Sequence, residues 1–280
     1  MYFKVTLIHT INRSGILFKL KIDTQLKQSL ILWTASIIII FLAGYTERTN
    51  SPGYPVNGTT NLNYSEISYS FDTVFRGKSD YTVWLAAESG SLEGDLEWRD
   101  KHDTASWKII NLTRANDILS ASIPHHSPTA KVEYHVKLYD KGNTITIPRD
   151  SNVTLLFLGL VPSQIMMFYF ITLFAGLILA VRTCLEIFKE NSKIKMYTIF
   201  TLISFFSFTW IFSPVKKGCE IGMIGGTKIA PVNELFSSGS LLLFVIWAAA
   251  LILVFNTRKP KVWMPVFSVL TLAVFLFGKF

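Results

Sequence analysis

Cysteine is almost missing from this chain: Cys184 and Cys219 are the two in 280 residues. A disulfide-stapled small domain is therefore excluded. Acidic residues are also scarce, 19 Asp and Glu against 27 Lys and Arg. More telling is where ionisable side chains are lacking altogether. No Asp, Glu, Lys, Arg or His falls within Ser29 to Tyr45, Gln164 to Val181, Met196 to Phe212, Leu235 to Phe255 or Val262 to Phe277. Ion-coupled transport, proton relays, voltage sensing and histidine-ligated haem all need such groups at membrane depth, so those functions are not expected here.

What fills these five stretches is apolar, and each has the length an α-helix needs to cross a hydrocarbon layer of about 30 Å. Five transmembrane helices are expected. The first is read as a retained anchor, because residues 1–28 precede it and no A-x-A-like cleavage site follows it; Tyr45 after Leu42-Ala43-Gly44 excludes a lipoprotein signal. Basic residues then orient the chain. Lys4, Arg13, Lys19, Lys21 and Lys27 precede the first span, Arg182, Lys189, Lys193 and Lys195 follow the second, and Arg258, Lys259 and Lys261 follow the fourth. By the positive-inside rule these links are cytoplasmic, leaving the amino terminus inside and the carboxyl terminus outside. Lys216 and Lys217, after the third span, are the exception. The formal charge of +8 is thus accounted for by topology and anionic-lipid contact, with no nucleic-acid partner.

The expected division is a cytoplasmic arm (1–28), an anchor (29–45), an irregular linker (46–65), an exported domain (66–161) and a four-helix membrane domain (162–280). The exported part reads as short β-branched and aromatic runs separated by turns, "DYTVWLAA", "GDLEWRD", "DILSASIP" and "KVEYHVKLYD" among them. That is the pattern of an antiparallel β-sandwich of seven or eight strands. Lys141-Gly142-Asn143 marks the clearest hairpin turn. The fold class expected is therefore an α-helical membrane protein with an inserted all-β sandwich. An exported segment with no cysteine, residues 46–161, points to a bacterial periplasm, although Asn57, Asn63, Asn111 and Asn152 each begin an Asn-x-Ser/Thr sequence.

Three of the five histidines crowd into residues 123–140, and His102 lies nearby. A metal site would need three or four converging ligands. In "KVEYHVKLYD", however, Val132, Tyr134, Val136 and Leu138 alternate with Glu133, His135 and Lys137, which puts His135 on the polar face. His125 and His126 sit in a turn between Pro124 and Pro128. Surface histidines are the expectation, and no metal or cofactor is assigned. Trp84 alternates ambiguously, so its face is open.

At the ends of the spans, two features are candidates for lipid or partner contact. Arg182 and Glu186 are four apart and share a helix face; they form either a fixed polar pair for a headgroup or partner subunit, or an interfacial pair with Arg182 snorkelling to the surface. The outer link 214–240 carries Lys216, Lys217, Gly222, Gly225, Gly226 and Glu234 and is long for a helix hairpin. Its glycines lack the lysine and hydroxyl context of a phosphate loop. "FSSGS" offers small residues for close helix packing.

The segments "KSDYTVWL", "KVEYHVKL", "ITLFAGLILAVRTCLE" and "NELFSSGSLLLFVIW" resemble those of a family of uncharacterised bacterial multi-pass membrane proteins, over roughly residues 66–257. The resemblance implies an N-terminal anchor, a periplasmic fibronectin type III-like (immunoglobulin-like) sandwich and a four-helix membrane domain. It implies no activity. The family's W-T-G and D-L-T-D-N-K stretches in the outer link are replaced by "IGGTKIAPVNELFSSGS", with Glu234 and Ser240 nearest to the missing groups. The function expected is a non-catalytic inner-membrane accessory subunit, in contact with lipids and other membrane-protein subunits. A lipid-handling or transport component and a membrane enzyme are the alternatives.

Overall fold

The structure, a computed structural model, describes residues 25–48, 53–63, 65–87, 91–101, 106–149, 151–190, 192–226, 229 and 231–278. His102, Asn191 and Phe280 lie outside the described residues. The chain divides into two compact units: residues 1–46, 170–210 and 237–280 form one, and residues 47–169 and 211–236 the other.

The second unit holds the sandwich-like region, with eleven strands among the described residues: β1 (Val56–Leu62), β2 (Ser65–Phe71), β3 (Val74–Arg76), β4 (Tyr81–Ala87), β5 (Glu93–Asp100), β6 (Lys108–Asn111), β7 (Thr113–Ala115), β8 (Ile118–Ile123), β9 (Lys131–Asp140), β10 (Asn143–Ile147) and β11 (Val153–Leu158). One sheet has the order β1-β2-β4-β8-β7, and the other β3-β11-β9-β5-β6, with β10 also paired to β9. The alternation legible in the sequence governs the core. Tyr81, Val83, Leu85 and Ala87 of β4 are buried, as are Val132, Tyr134, Val136 and Leu138 of β9. Each fully buried aliphatic side chain stabilises by about 1.5–3 kcal/mol. The sheets are also bonded to each other by a buried phenol pair. The Asp72 amide donates to Tyr81 Oη at 3.0 Å, Tyr134 Oη donates to the Asp72 carbonyl at 3.1 Å, and the two phenol oxygens lie 3.3 Å apart. Burial raises both phenol pKa values.

Two differences from the expected pattern stand out. The stretch 46–65, expected as an irregular linker, contains β1, which pairs with β2 from Val56↔Phe71 to Leu62↔Ser65. "VNGTTNL" carries no apolar alternation; the backbone groups offered by β2 recruit it, which is context overriding propensity. Asn63, at φ 46°, turns the chain back. Trp84, whose face was open, lies on the outer face and is 48% exposed, while Trp98 of β5 is the core tryptophan at 4%. The expected β9–β10 hairpin is present, with Lys141 and Gly142 at positive φ in its two-residue turn.

Among the described residues, five helices are long and apolar enough to cross a membrane: Gln25–Arg48, Ser163–Phe188, Ile194–Glu220, Ser238–Asn256 and Pro260–Phe277. Their regular α-helical parts are α1 (Gln25–Arg48), α2 (Ser163–Leu185), α3 (Ile194–Ser207), α4 (Ser213–Glu220), α5 (Ser238–Asn256) and α6 (Met264–Phe277). A π-helical turn, Phe208–Phe212, joins α3 to α4. The outer link expected to begin at residue 214 is therefore helical through Glu220. In the first unit, hydroxyls bond helix to helix: Ser204 Oγ to the Thr172 carbonyl at 2.8 Å, Ser268 Oγ to the Ala180 carbonyl at 2.7 Å, and Thr209 Oγ1 to the Ser240 carbonyl at 2.8 Å. Trp247 Nε1 donates to Thr271 Oγ1 at 2.8 Å, wholly buried. Polar side chains used in this way hold apolar helices together where no hydrophobic force distinguishes one helix from its surroundings. Gly239 and Ser240 of "FSSGS" are buried, as close packing there requires.

Candidate functional site

The sequence candidates fall into separate places. In the first unit α2 runs past Val181, so Arg182 belongs to the helix, and a single 3₁₀ turn then brings Glu186 onto the same face. Arg182 Nη2 and Glu186 Oε1 meet at 2.6 Å with both side chains fully buried. The snorkelling reading is thereby corrected: the guanidinium points into protein. Its carbon lies 4.9 Å from the Tyr197 ring of α3 and 5.6 Å from the Trp33 ring of α1, and those two rings meet edge to face. Arg182 Nε and Nη1 have no hydrogen-bond acceptor among the described residues. The electron-rich ring faces therefore supply much of the guanidinium's electrostatic environment. Glu186 Oε2 accepts from the Lys193 amide at 2.7 Å, and Lys261 Nζ donates to the Lys189 carbonyl at 2.6 Å, closing the end of this segment. One cation thus gathers three helices, and the arrangement is a fixed charge node.

The outer-link candidates lie in the second unit. Lys216 is one turn before Glu220 on α4, and its Nζ stands 3.3 Å from the Glu220 carboxylate and 4.6 Å from the Tyr169 ring. Arg76 at the end of β3 reaches the same carboxylate oxygen at 3.1 Å. The Glu220 carbonyl accepts from the Gly159 amide at 2.8 Å, just past β11. A Cβ at Gly159 would sit 2.2 Å from the Cys219 carbonyl, so only glycine permits this approach. Glu220 thereby clamps the end of α4 to two strands of the sandwich.

The three glycines shape the chain here. The Met223 amide bonds the Gly218 carbonyl and the Gly222 amide the Cys219 carbonyl, with Gly222 at φ +76°; this is the Schellman stop that helices favour at a glycine. Gly225 and Gly226 continue the reversal on the surface, and Lys217 and Glu234 are exposed. Arg182 with Glu186 is thus one cluster and Lys216 another, while Lys217, Gly225, Gly226 and Glu234 join neither. Sequence reading missed Trp33, Tyr197, Arg76, Tyr169 and Glu220. The spacing Lys216 to Glu220 was the one available signal, usable once "SPVKKGCE" is taken as helix.

The histidines also separate. His125 is exposed and its amide donates to Asp80 Oδ1 at 2.8 Å. His126 is half-buried against Trp98 and Phe157, its Nδ1 2.6 Å from the Pro124 carbonyl. His135 corrects the surface reading. It is on the polar face of β9 as expected, yet it is 7% exposed, because Trp107 stands edge-on over it at 4.6 Å and Glu97 takes its Nε2 at 3.0 Å. Burial pushes the His135 pKa down, and the Glu97 carboxylate offsets only part of that. Among the described residues, no three of His, Cys, Asp and Glu converge as metal ligands.

No protein-family model matches the chain, and no curated protein matches it. Among solved structures, a Br derivative of BhCBM56 is similar at 11% identity and a TM-score of 0.25, over 38% of this chain and 96% of that one. So low a score carries no shared fold or ligand.

Proposed function

We propose that the chain is a non-catalytic integral protein of a bacterial inner membrane, an accessory subunit that presents its sandwich in the periplasm to other proteins of a membrane complex. The Glu220 clamp is the observation that carries this reading. A sandwich that only decorated a membrane protein would need no bond beyond its chain connections. Here β11 passes into α2 through residues 159–162, and the end of α4 is bonded back to Gly159 and Arg76. The end of α4 and the sandwich are thereby held together within the second unit.

Membrane insertion is supported by helices that are apolar on every face: Leu242, Val245, Ile252 and Phe255 of α5 and Val266, Val269 and Leu270 of α6 are exposed in the protein itself and need lipid or another subunit to cover them. The basic links support an amino terminus in the cytoplasm and a carboxyl terminus in the periplasm. The family resemblance of the sandwich and helix segments agrees with this plan. Extraction in mild detergent followed by native mass measurement tests the subunit reading: co-purifying chains of fixed stoichiometry are expected, and a clean monomer would sink it. The topology has its own check. Single cysteines placed at residues 47 and 257, in a chain lacking Cys184 and Cys219, are expected to react with an impermeant reagent in intact cells at 47 only.

A further inference from the structure

Two edge strands of the sandwich, β1 and the shorter β10, carry neither charge nor proline. β1, β3, β6, β7 and β10 each have a single strand neighbour. Of these β1 is the longest, at 7 residues, and "VNGTTNL" contains no charge and no proline, the devices with which proteins ordinarily blunt a sheet edge. Strands β3, β6 and β7 carry Arg76, Lys108 and Arg114. Among the described residues the backbone of β1 bonds to β2 alone. In a two-residue hairpin the closing pair, here Leu62 and Ser65, is the hydrogen-bonded one, so Thr59 and Asn61 turn their N–H and C=O to the free side.

A groove of about 600 Å³ runs along this edge, with Thr59, Thr60 and Asn61 in its lining. Successive residues of a strand point to opposite faces, so a groove touching three in a row follows the edge of the strand and not one of its faces. Its far wall is the segment after β10, including Pro148 and Arg149, and Tyr69 contributes a ring. Among the described residues of that lining Arg149 is the charged one, and its Nη2 donates to Thr60 Oγ1 at 3.1 Å. The geometry fits an added strand: backbone donors and acceptors on one side, side-chain space beside them, and a cation that favours an acidic residue.

We propose that β1 is the docking edge of this protein, taking an extended segment of a partner protein by β-strand addition, with an acidic side chain of that segment on Arg149. Main-chain hydrogen bonds give such a contact its affinity and the flanking groove its selectivity. This rests on the accessory-subunit reading and assigns that reading a surface.

The test compares the full chain in its native detergent-extracted assembly with the same chain purified alone, by amide hydrogen exchange over residues 56–62. About half of these amides already face β2. The others are expected to exchange about 100-fold more slowly or less still in the assembly. Thr59→Pro and Asn61→Pro, which remove donors from the free side, are expected to release the partner, and Arg149→Glu to weaken it at least tenfold with the sandwich intact. Because Arg149→Glu leaves the backbone untouched, it stands if either proline variant misfolds. An intact assembly in which β1 exchanges as fast as in the isolated chain overturns the strand-addition proposal alone and leaves the subunit reading standing. A monomer in mild detergent removes both. A homodimer with protected β1 overturns the partner segment in favour of a second copy.

Discussion

The outer face of the sandwich and the helical unit treat charge in opposite ways. On the outer face of β5 and β9 the sandwich lays out a ladder in which Asp95 opposes Lys137, Glu97 opposes His135 and Arg99 opposes Glu133. Glu97 is shared by Lys137 at 2.7 Å and His135 at 3.0 Å, and Glu133 by Arg99 at 2.9 Å and Lys101 at 3.4 Å. Among the described residues, the helical unit uses neutral hydroxyl bonds between helices and buries one ion pair, Arg182 with Glu186. A partly exposed ladder is redundant, and water replaces a lost partner cheaply. A buried pair has no such replacement, so each partner becomes a liability without the other.

Breaking that contrast gives the largest expected effects. Arg182→Met or Glu186→Gln alone should destabilise the helical unit by about 3–5 kcal/mol, read as thermal unfolding in detergent, while the double variant with Met at both positions should recover most of the loss. Equal losses in the single and double variants would mean that the pair does not act as a unit. In the sandwich, the large penalty belongs to the core and not to the ladder: Trp98→Ala should cost about 3–5 kcal/mol, measured by chemical unfolding.

His135, buried in the ladder together with Glu97, gives a smaller effect of known sign. Its pKa is lowered in the folded protein, so below the ordinary histidine value of about 6.5 the unfolded chain binds more protons than the folded one. The sandwich should be at full strength above that pH, weaken as pH falls through it, and level off below the depressed folded value. His135→Gln should flatten this slope in a melting series from pH 8 to pH 5. Thr271→Val, which removes the acceptor of Trp247, should cost about 0.6–2 kcal/mol. Trp84→Ala, on the outer face, should stay within about 0.5 kcal/mol.

Much of the fold was legible because two periods are strong in this chain. Alternation in β9 assigned the core face residue by residue, and long uncharged runs located five helices. β1 escaped because its sequence has no apolar face to alternate; its place comes from β2. His135 shows the limit of a period: alternation put it correctly off the core face, but burial there depends on Trp107, which arrives from a loop twenty-eight residues earlier in the chain. Arg182 was singled out by its spacing from Glu186, yet nothing in that spacing indicates that Trp33 and Tyr197 enclose it. The Glu220 clamp needs Gly159 and Arg76, which are distant in sequence and carry no signature of each other.

The bond between the Gly159 amide and the Glu220 carbonyl also has a mechanical side. A tug on the sandwich travels into the rest of its unit along two routes, the covalent chain from β11 into α2 and the bonded end of α4, so a load that would swing a singly tethered domain is divided between two anchorages. Replacing Gly159 by alanine would leave every strand in place and break that bond, so that Arg76 alone would carry the second route.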